Sequence, residues 1–198
     1  MKQIFEITDK ETINQVLDNA EYGTLALCHD NQPYSLPINF VKVENILYFH
    51  GSLKGKKIGI LKGNPYVSFS VVESYSMIQS YFSSKDNLAC PATQFFKSVI
   101  IDGKIEFVEN YDEKVIALSK LMKKLQPEGK YKALSDEAYQ KVINATAIFK
   151  LKIKDIKAKF KFGQHLNKDR FEMIIKHLED RGEEIDIATI KLMKSLKG

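Results

Sequence analysis

Near the start of the chain, hydrophobic positions fall three and four residues apart; further on, the spacing changes to two. Ile13, Val16, Leu17 and Ala20 share one helical face. Thr8-Asp9-Lys10-Glu11 ahead of them has the hydroxyl–carboxylate spacing of a capping box. Alternation over residues 24–28, 34–43 and 46–50 predicts three strands. They are joined by His29-Asp30-Asn31-Gln32 and by Glu44-Asn45, connections short enough to predict antiparallel hairpins. Residues 53–62 predict a short helix stopped by Gly63-Asn64-Pro65, and residues 66–72 a fourth strand. Residues 73–93 are rich in Ser, Asn and Tyr without a period, and predict a long loop. Strand character resumes over 95–108, with a bend expected at Asp102-Gly103. Val115, Leu118, Met122 and Leu125 mark a helix face, and a further helix is expected around 135–142. Phe149, Leu151, Ile153, Ile156, Ala158 and Phe160 then alternate with lysines, the pattern of a strand with one buried and one wet face. In the tail, Phe171, Ile174, Ile175 and Leu178, then Ile187, Ile190 and Met193, predict two helices parted by Arg181-Gly182.

Six antiparallel strands with helices in the crossovers predict a mainly β (α+β) fold, a small closed barrel with peripheral helices. Composition agrees: 198 residues with 44% hydrophobic and 28% charged suit one domain able to bury a core. No apolar run approaches the length of a membrane span, and the start turns acidic at Glu6 without a signal-peptide stretch. Cys28 and Cys90 are too few for a disulfide framework or a thiolate metal site, so a reduced, cytoplasmic protein is expected.

The net charge of +5 is local, because residues 150–198 hold 13 Lys and Arg against 8 Asp and Glu. A solvated strand face accounts for it. No helix-turn-helix, zinc-finger or RNA-binding signature speaks for nucleic acid.

The histidines are scattered, without metal-ligand spacing, and the common hydrolase, triphosphatase and dinucleotide fingerprints are missing. Three segments remain. In His50-Gly51-Ser52-Leu53-Lys54-Gly55-Lys56-Lys57 a strand runs into a helix start, where unpaired N–H groups and lysines favour an anion such as a phosphomonoester. An ordinary solvated basic helix start fits the spacing equally well. In Leu36-Pro37-Ile38-Asn39-Phe40, Pro37 either blunts an edge strand or frees backbone groups beside it for a planar heterocycle. Thr93, Gln94 and Ser98 place polar groups at the start of an apolar strand in which Phe95 and Phe96 face opposite ways.

Together these segments resemble a known family. Tyr48-Phe49-His50-Gly51-Ser52, Gly55-Lys56-Lys57 and Asn64-Pro65-Tyr66-Val67-Ser68-Phe69 are similar to the core of the pyridoxamine 5′-phosphate oxidase-like, FMN-binding split-barrel proteins, nearest their nitroimidazole-resistance (Nim-type) branch. Pro33-Tyr34-Ser35-Leu36-Pro37-Ile38-Asn39-Phe40, Phe96-Lys97-Ser98-Val99-Ile100 and Leu121-Met122-Lys123-Lys124-Leu125-Gln126-Pro127 continue the likeness. Lys159-Phe160-Lys161-Phe162-Gly163-Gln164-His165-Leu166-Asn167 resembles the C-terminal segment of the PaiB-like branch, which has been linked to transcriptional control.

The resemblance implies a six-stranded antiparallel split β-barrel over residues 1–162 and a helical extension, 163–198, packed on the same domain. It implies FMN, contacted by Gly51, with the phosphate held by Lys57 and assisted by Lys56, Ser52 and the backbone after Ser52. Leu36, Pro37, Ile38 and Asn39, and Thr93, Gln94, Phe96 and Ser98, become the further cofactor contacts. His50 is expected beside the flavin, either at the substrate or simply bonded to the following helix turn. A homodimer with flavin at the interface is implied, together with electron transfer from NAD(P)H to a small acceptor such as a nitro compound. The arginine-rich motifs of a true pyridoxamine phosphate oxidase are missing. Alternatives in the same superfamily are a non-catalytic flavin or haem sensor and a haem-binding or haem-degrading protein.

Overall fold

The computed structural model describes residues 2–83 and 88–197. In chain order the elements are β1 (Glu6–Ile7), α1 (Lys10–Asn19), β2 (Tyr22–His29), β3 (Gln32–Asn39), β4 (Val41–Val43), β5 (Ile46–Gly51) and α2 (Lys56–Gly63). There follow β6 (Tyr66–Ile78), β7 (Thr93–Val108), α3 (Tyr111–Leu125), α4 (Gln140–Ala145), β8 (Ala147–Lys161), α5 (Lys168–Arg181) and α6 (Glu184–Leu196). Strand order in the sheet is β3-β2-β6-β7-β8-β5-β4, with β1 on β8. The path does not close, so the expected closed barrel is an open-ended sheet, and it has eight strands rather than six. Two differences account for the count: residues 34–43 break at Phe40 into β3 and β4, and the two-residue β1 adds to the edge. Among the described residues no helix is long and apolar enough to cross a membrane.

The chain divides into two compact units. The larger comprises Lys10–Val71 and Val99–Lys157. Its β2–β3 hairpin turns at Asp30 and Asn31, both left-handed (φ 50° and 58°), which matches the twist of the paired strands. β2 buries Leu25 and Leu27, and Gly23 is required on the same face because a Cβ there would meet the Phe69 ring. α1 begins at Lys10, placing Asp9 rather than Thr8 next to the helix, and buries Ile13, Val16 and Leu17 as expected. α3 is capped by Asn110, whose side chain accepts from the Glu113 N–H at 2.9 Å. It buries Lys114, Ala117 and Leu121, while Leu125 stays exposed, so its inner face is turned one residue from the expected one. Residues expected as one helix around 135–142 form a 3₁₀ turn, Glu137–Tyr139, followed by α4. β7 continues unbroken through Asp102-Gly103, where a bend is expected, and Gly103 is needed because a Cβ would strike the Lys152 carbonyl.

The smaller unit comprises Met1–Asp9, Val72–Ser98 and Ala158–Gly198. Part of the region expected as a loop is regular structure. β6 continues to Ile78 and a 3₁₀ turn follows at Ser80–Phe82; residues 84–87 lie outside the described residues. β1 pairs with the end of β8 (Glu6 with Lys159, Ile7 with Ala158). Phe82, Phe95, Phe160, Phe162, Ile174 and Leu178 form the core here. α5 ends on Gly182 in the left-handed conformation (φ 69°), the expected break. α6 departs from its pattern: Ile187 is 68% exposed, whereas Asp186 and Thr189 are fully buried beside Met193.

Candidate functional site

The larger unit holds nine of the candidate residues. β5 pairs with β8 so that Phe49 lies opposite Phe149 and Gly51 opposite Ala147. The two phenyl rings stack, with centroids 4.9 Å apart. Lys57, in the first turn of α2, lays its ammonium over this aromatic floor, 4.5 Å from the Phe149 ring and 5.7 Å from Phe49. Gly51 leaves the space for it, since a Cβ at Gly51 would collide with Lys57 Nζ. Burial holds the Lys57 pKa below its ordinary value. No carboxylate pairs with it among the described residues.

α2 starts at Lys56 rather than at residue 53. The residue before it is Gly55, at φ 107°, a conformation that favours glycine. Ser52 is therefore not the helix cap: its Oγ accepts from the Lys54 N–H at 3.0 Å, and no side chain caps α2. Lys56 sits over the Tyr34 ring at 4.8 Å. His50 is the next-to-last residue of β5, just before Gly51. Period two puts it on the Tyr48 face, opposite the face that carries Phe49, Gly51 and Lys57. The residue is exposed, yet partial burial, and then the Lys57 charge, push its pKa below the ordinary histidine value. On that same face the Tyr48 hydroxyl donates to Glu113 at 2.9 Å, and Lys150 pairs with Glu113 at 3.0 Å. Burial, then the Glu113 bond, pushes the Tyr48 pKa up to about 12.

β3 is an edge strand, with Leu36 and Ile38 half-buried and Pro37 and Asn39 exposed. Pro37 stands opposite Thr24 on β2. The Asn39 amide donates to the Glu21 carbonyl at 2.9 Å, so one of its donors is already spent within the chain.

The other four candidates lie on β7 in the smaller unit. Thr93 accepts from Lys161, and Gln94 donates to the backbone carbonyls of Tyr75 and Phe95. Phe95 is buried; Phe96 is half-buried beneath Lys159, 5.4 Å from its ring, and Ser98 is half-buried. Thr93 thus shares a face with Phe95, and Gln94, Phe96 and Ser98 share the other, as period two requires.

Sequence reasoning missed Phe49, Phe149 and Tyr34 as the aromatic seats of the two lysines. Phe149 carried the alternation of its strand, but nothing local says that it stands opposite Phe49, a hundred residues away in the chain.

The chain matches the family model for pyridoxamine 5′-phosphate oxidase over residues 9–160. A protease synthase and sporulation protein, PAI 2, of Bacillus subtilis is 24% identical over 190 residues, covering 89% of this chain and 87% of that one. An uncharacterized protein of Rhizobium meliloti is 29% identical over 100 residues, half of this chain and 55% of that one. Among solved structures, a 5-nitroimidazole antibiotic resistance protein from Bacteroides thetaiotaomicron superposes with a TM-score of 0.65 at 21% identity, covering 78% of this chain and 85% of that one. A flavocytochrome from Azotobacter vinelandii gives 0.68 at 23%, covering 82% and 73%. The antiparallel sheet with peripheral helices is the split-barrel fold of these proteins, and the chain belongs to the pyridoxamine 5′-phosphate oxidase family.

Proposed function

We propose that this chain is an FMN-binding oxidoreductase of the cytoplasm, oxidising NAD(P)H and reducing a small acceptor such as a nitro compound. The observation that carries the reading is Lys57: an ammonium held against an aromatic floor, without a carboxylate, at an uncapped helix start. That donor set fits a phosphate dianion. The anion would relieve a half-buried cation and accept from the first N–H groups of α2. Gly51 makes room for the Lys57 ammonium, and no atom lies within 4 Å of where a Cβ at Gly55 would be, so that the loop backbone can come close to a ligand. Lys56 adds charge, and Leu36, Pro37, Ile38 and Asn39 offer an exposed strand edge to a planar ring. FMN, when bound, supplies the two-electron chemistry; the protein binds and orients it. His50, its pKa lowered, is neutral at pH 7, with one ring nitrogen free to accept a proton and the other to donate one.

The two structural relatives are described as a nitroimidazole-resistance protein and a flavocytochrome, which supports a redox cofactor here. In the larger unit Tyr22, Tyr66 and Ile100 are exposed apolar side chains, and with the edge strand β3 they support a homodimer covering the flavin. Light scattering should then give twice the 22.7 kDa chain mass. A second reading is a flavin or haem sensor without turnover; in its favour, the Bacillus relative, which matches nearly the whole chain, is named for protease synthesis and sporulation and not for an oxidoreductase. Purified protein separates the readings: flavin bands with acceptor turnover, flavin bands without it, or a Soret band.

The direct test is Lys57→Ala. Loss of one charge-assisted bond, about 1.5–3 kcal/mol, should weaken FMN roughly 10- to 100-fold while riboflavin, without phosphate, changes little. Equal losses for both ligands would remove Lys57 from the phosphate.

A further inference from the structure

The smaller unit contains a cavity of about 270 Å³ between the start of β7, the end of β8 and α5. Three basic side chains line it: Lys161, His165 and Arg170. Among the described residues no Asp or Glu does. Arg170 Nε is buried and has no hydrogen-bond partner among the described residues, although the same guanidinium donates from Nη2 to Ser83 at 3.2 Å. Lys161 donates to the Thr93 hydroxyl, which lines the cavity beside it. The remaining wall is apolar, with Phe95 and Ile174 1% and 2% exposed.

This arrangement is costly as it stands. Burial and then Lys159 depress the Lys161 pKa; burial and then Lys2, Lys161, Arg170 and Lys197 depress that of His165. An unpaired buried guanidinium nitrogen adds its own desolvation cost. One anion between Arg170 and Lys161 would relieve all three effects, and the apolar wall would cover whatever carries the charge.

We propose that this cavity binds a small ligand bearing one oxyanion, carboxylate or phosphate, on an apolar body, with Arg170 and Lys161 as charged donors and Thr93 as the neutral one. The site goes beyond the flavin reading and does not depend on it. It also gives Thr93 a ligand other than the cofactor.

The test titrates phenyl phosphate, benzoate, inorganic phosphate and benzyl alcohol into the purified full-length protein by calorimetry. Phenyl phosphate and benzoate should bind, inorganic phosphate at least tenfold more weakly than phenyl phosphate, and benzyl alcohol not at all. Arg170→Gln and Lys161→Gln should each weaken phenyl phosphate at least tenfold, whereas Lys57→Ala should leave it within about twofold. In the unaltered protein, phenyl phosphate should raise the His165 pKa followed by proton NMR, a readout that stands even if a variant folds poorly. Equal binding of benzyl alcohol and phenyl phosphate, or an unmoved His165, would overturn the proposal. So would loss of binding in Lys57→Ala but not in Arg170→Gln, which would place the anion at α2 and leave the flavin reading standing.

Discussion

Two of the places where this protein buries charge handle it in opposite ways. In the smaller unit, Asp186 is fully buried at the first turn of α6. Arg181 donates to it through Nε, at 2.8 Å, and through Nη2; the Ser76 hydroxyl and the Glu183 N–H donate as well. Arg181 spends its remaining fork on Met77 and Gln79. In the larger unit, Lys57 is half-buried over two phenyl rings and, among the described residues, has no carboxylate partner. A charge satisfied from within its own chain serves the fold; a charge brought into a low-dielectric site and left open is available to something outside it. That contrast, rather than burial or perturbed titration alone, separates the two.

The largest expected effect breaks the satisfied side. Asp186→Ala removes the carboxylate that Arg181 and Ser76 share and should cost about 3 kcal/mol of folding stability. By chemical denaturation that is a lowered midpoint with an unchanged slope. The acid limb gives a second check. Arg181 holds the Asp186 carboxyl below its ordinary value of 3.8, so the stabilisation is fully present above that pH and is lost as pH falls through the lower folded value. The gap between wild type and Asp186→Ala should therefore be constant from neutrality down to about pH 5 and narrow below pH 4. A gap that stays wide at pH 2 would mean that the carboxylate is not what the network needs.

Next in size is catalysis. His50→Asn keeps a hydrogen-bonding side chain but cannot titrate. FMN affinity should stay within a few-fold, while flavin reoxidation by acceptor should fall at least tenfold, about 1.4 kcal/mol of barrier. If the variant instead loses flavin and turns over normally once FMN is in excess, His50 belongs to the cofactor and not to the substrate.

The same contrast explains what could be read from the chain. Helix α5 followed its apolar spacing because Phe171, Ile174 and Leu178 have no competitor for the inner face. Helix α6 did not, because the Asp186 network offers more to the inner face than Ile187 does, and those partners come from β6, more than a hundred residues earlier. β6 was hidden beyond Val72 for a related reason: Glu73, Tyr75 and Ser76 look like loop residues until Lys97 pairs with Glu73 at 3.4 Å and lies over the Tyr75 ring. Lys114 turned α3 by one residue through its bonds to the Asn144 and Thr146 carbonyls. At the candidate site, local chemistry was legible in His50 to Lys57, since a strand end, glycines and lysines are contiguous there. The aromatic floor was not, because β5–β8 register is a long-range fact.

A smaller effect sharpens the open side. Lys57→Met removes a cation that folding desolvates and keeps a flexible apolar chain over the rings, so stability at pH 7 should be unchanged or slightly higher. The sign with pH is definite. The folded pKa of Lys57 lies below 10.5, so the unfolded chain binds more protons between that value and 10.5, and stability rises with pH across the window. Lys124, lowered to about 8 by burial, adds to the rise, and Tyr48, raised to about 12, opposes it above pH 10. The measured quantity is therefore the difference between wild type and Lys57→Met, which should narrow or reverse as pH rises toward 10.5. A clear loss of stability at pH 7 would place Lys57 with Asp186, among the residues the fold itself requires.

The smallest effect is the one that links the two candidate roles. His50 and Lys57 sit on opposite faces of β5, yet Lys57 is the second cause of the lowered His50 pKa, after burial. Removing that positive charge in Lys57→Met should raise the His50 pKa, followed by proton NMR, but not to the free value of 6.5, because burial remains. A phosphate dianion seated on Lys57 should raise it in the same direction, so saturating FMN should move His50 further than saturating riboflavin does. The ring of the flavin is common to both ligands, so the difference between them isolates the phosphate. Were riboflavin to move His50 as far as FMN, the imidazole would be sensing the ring alone, and the phosphate would have to lie beyond the reach of Lys57.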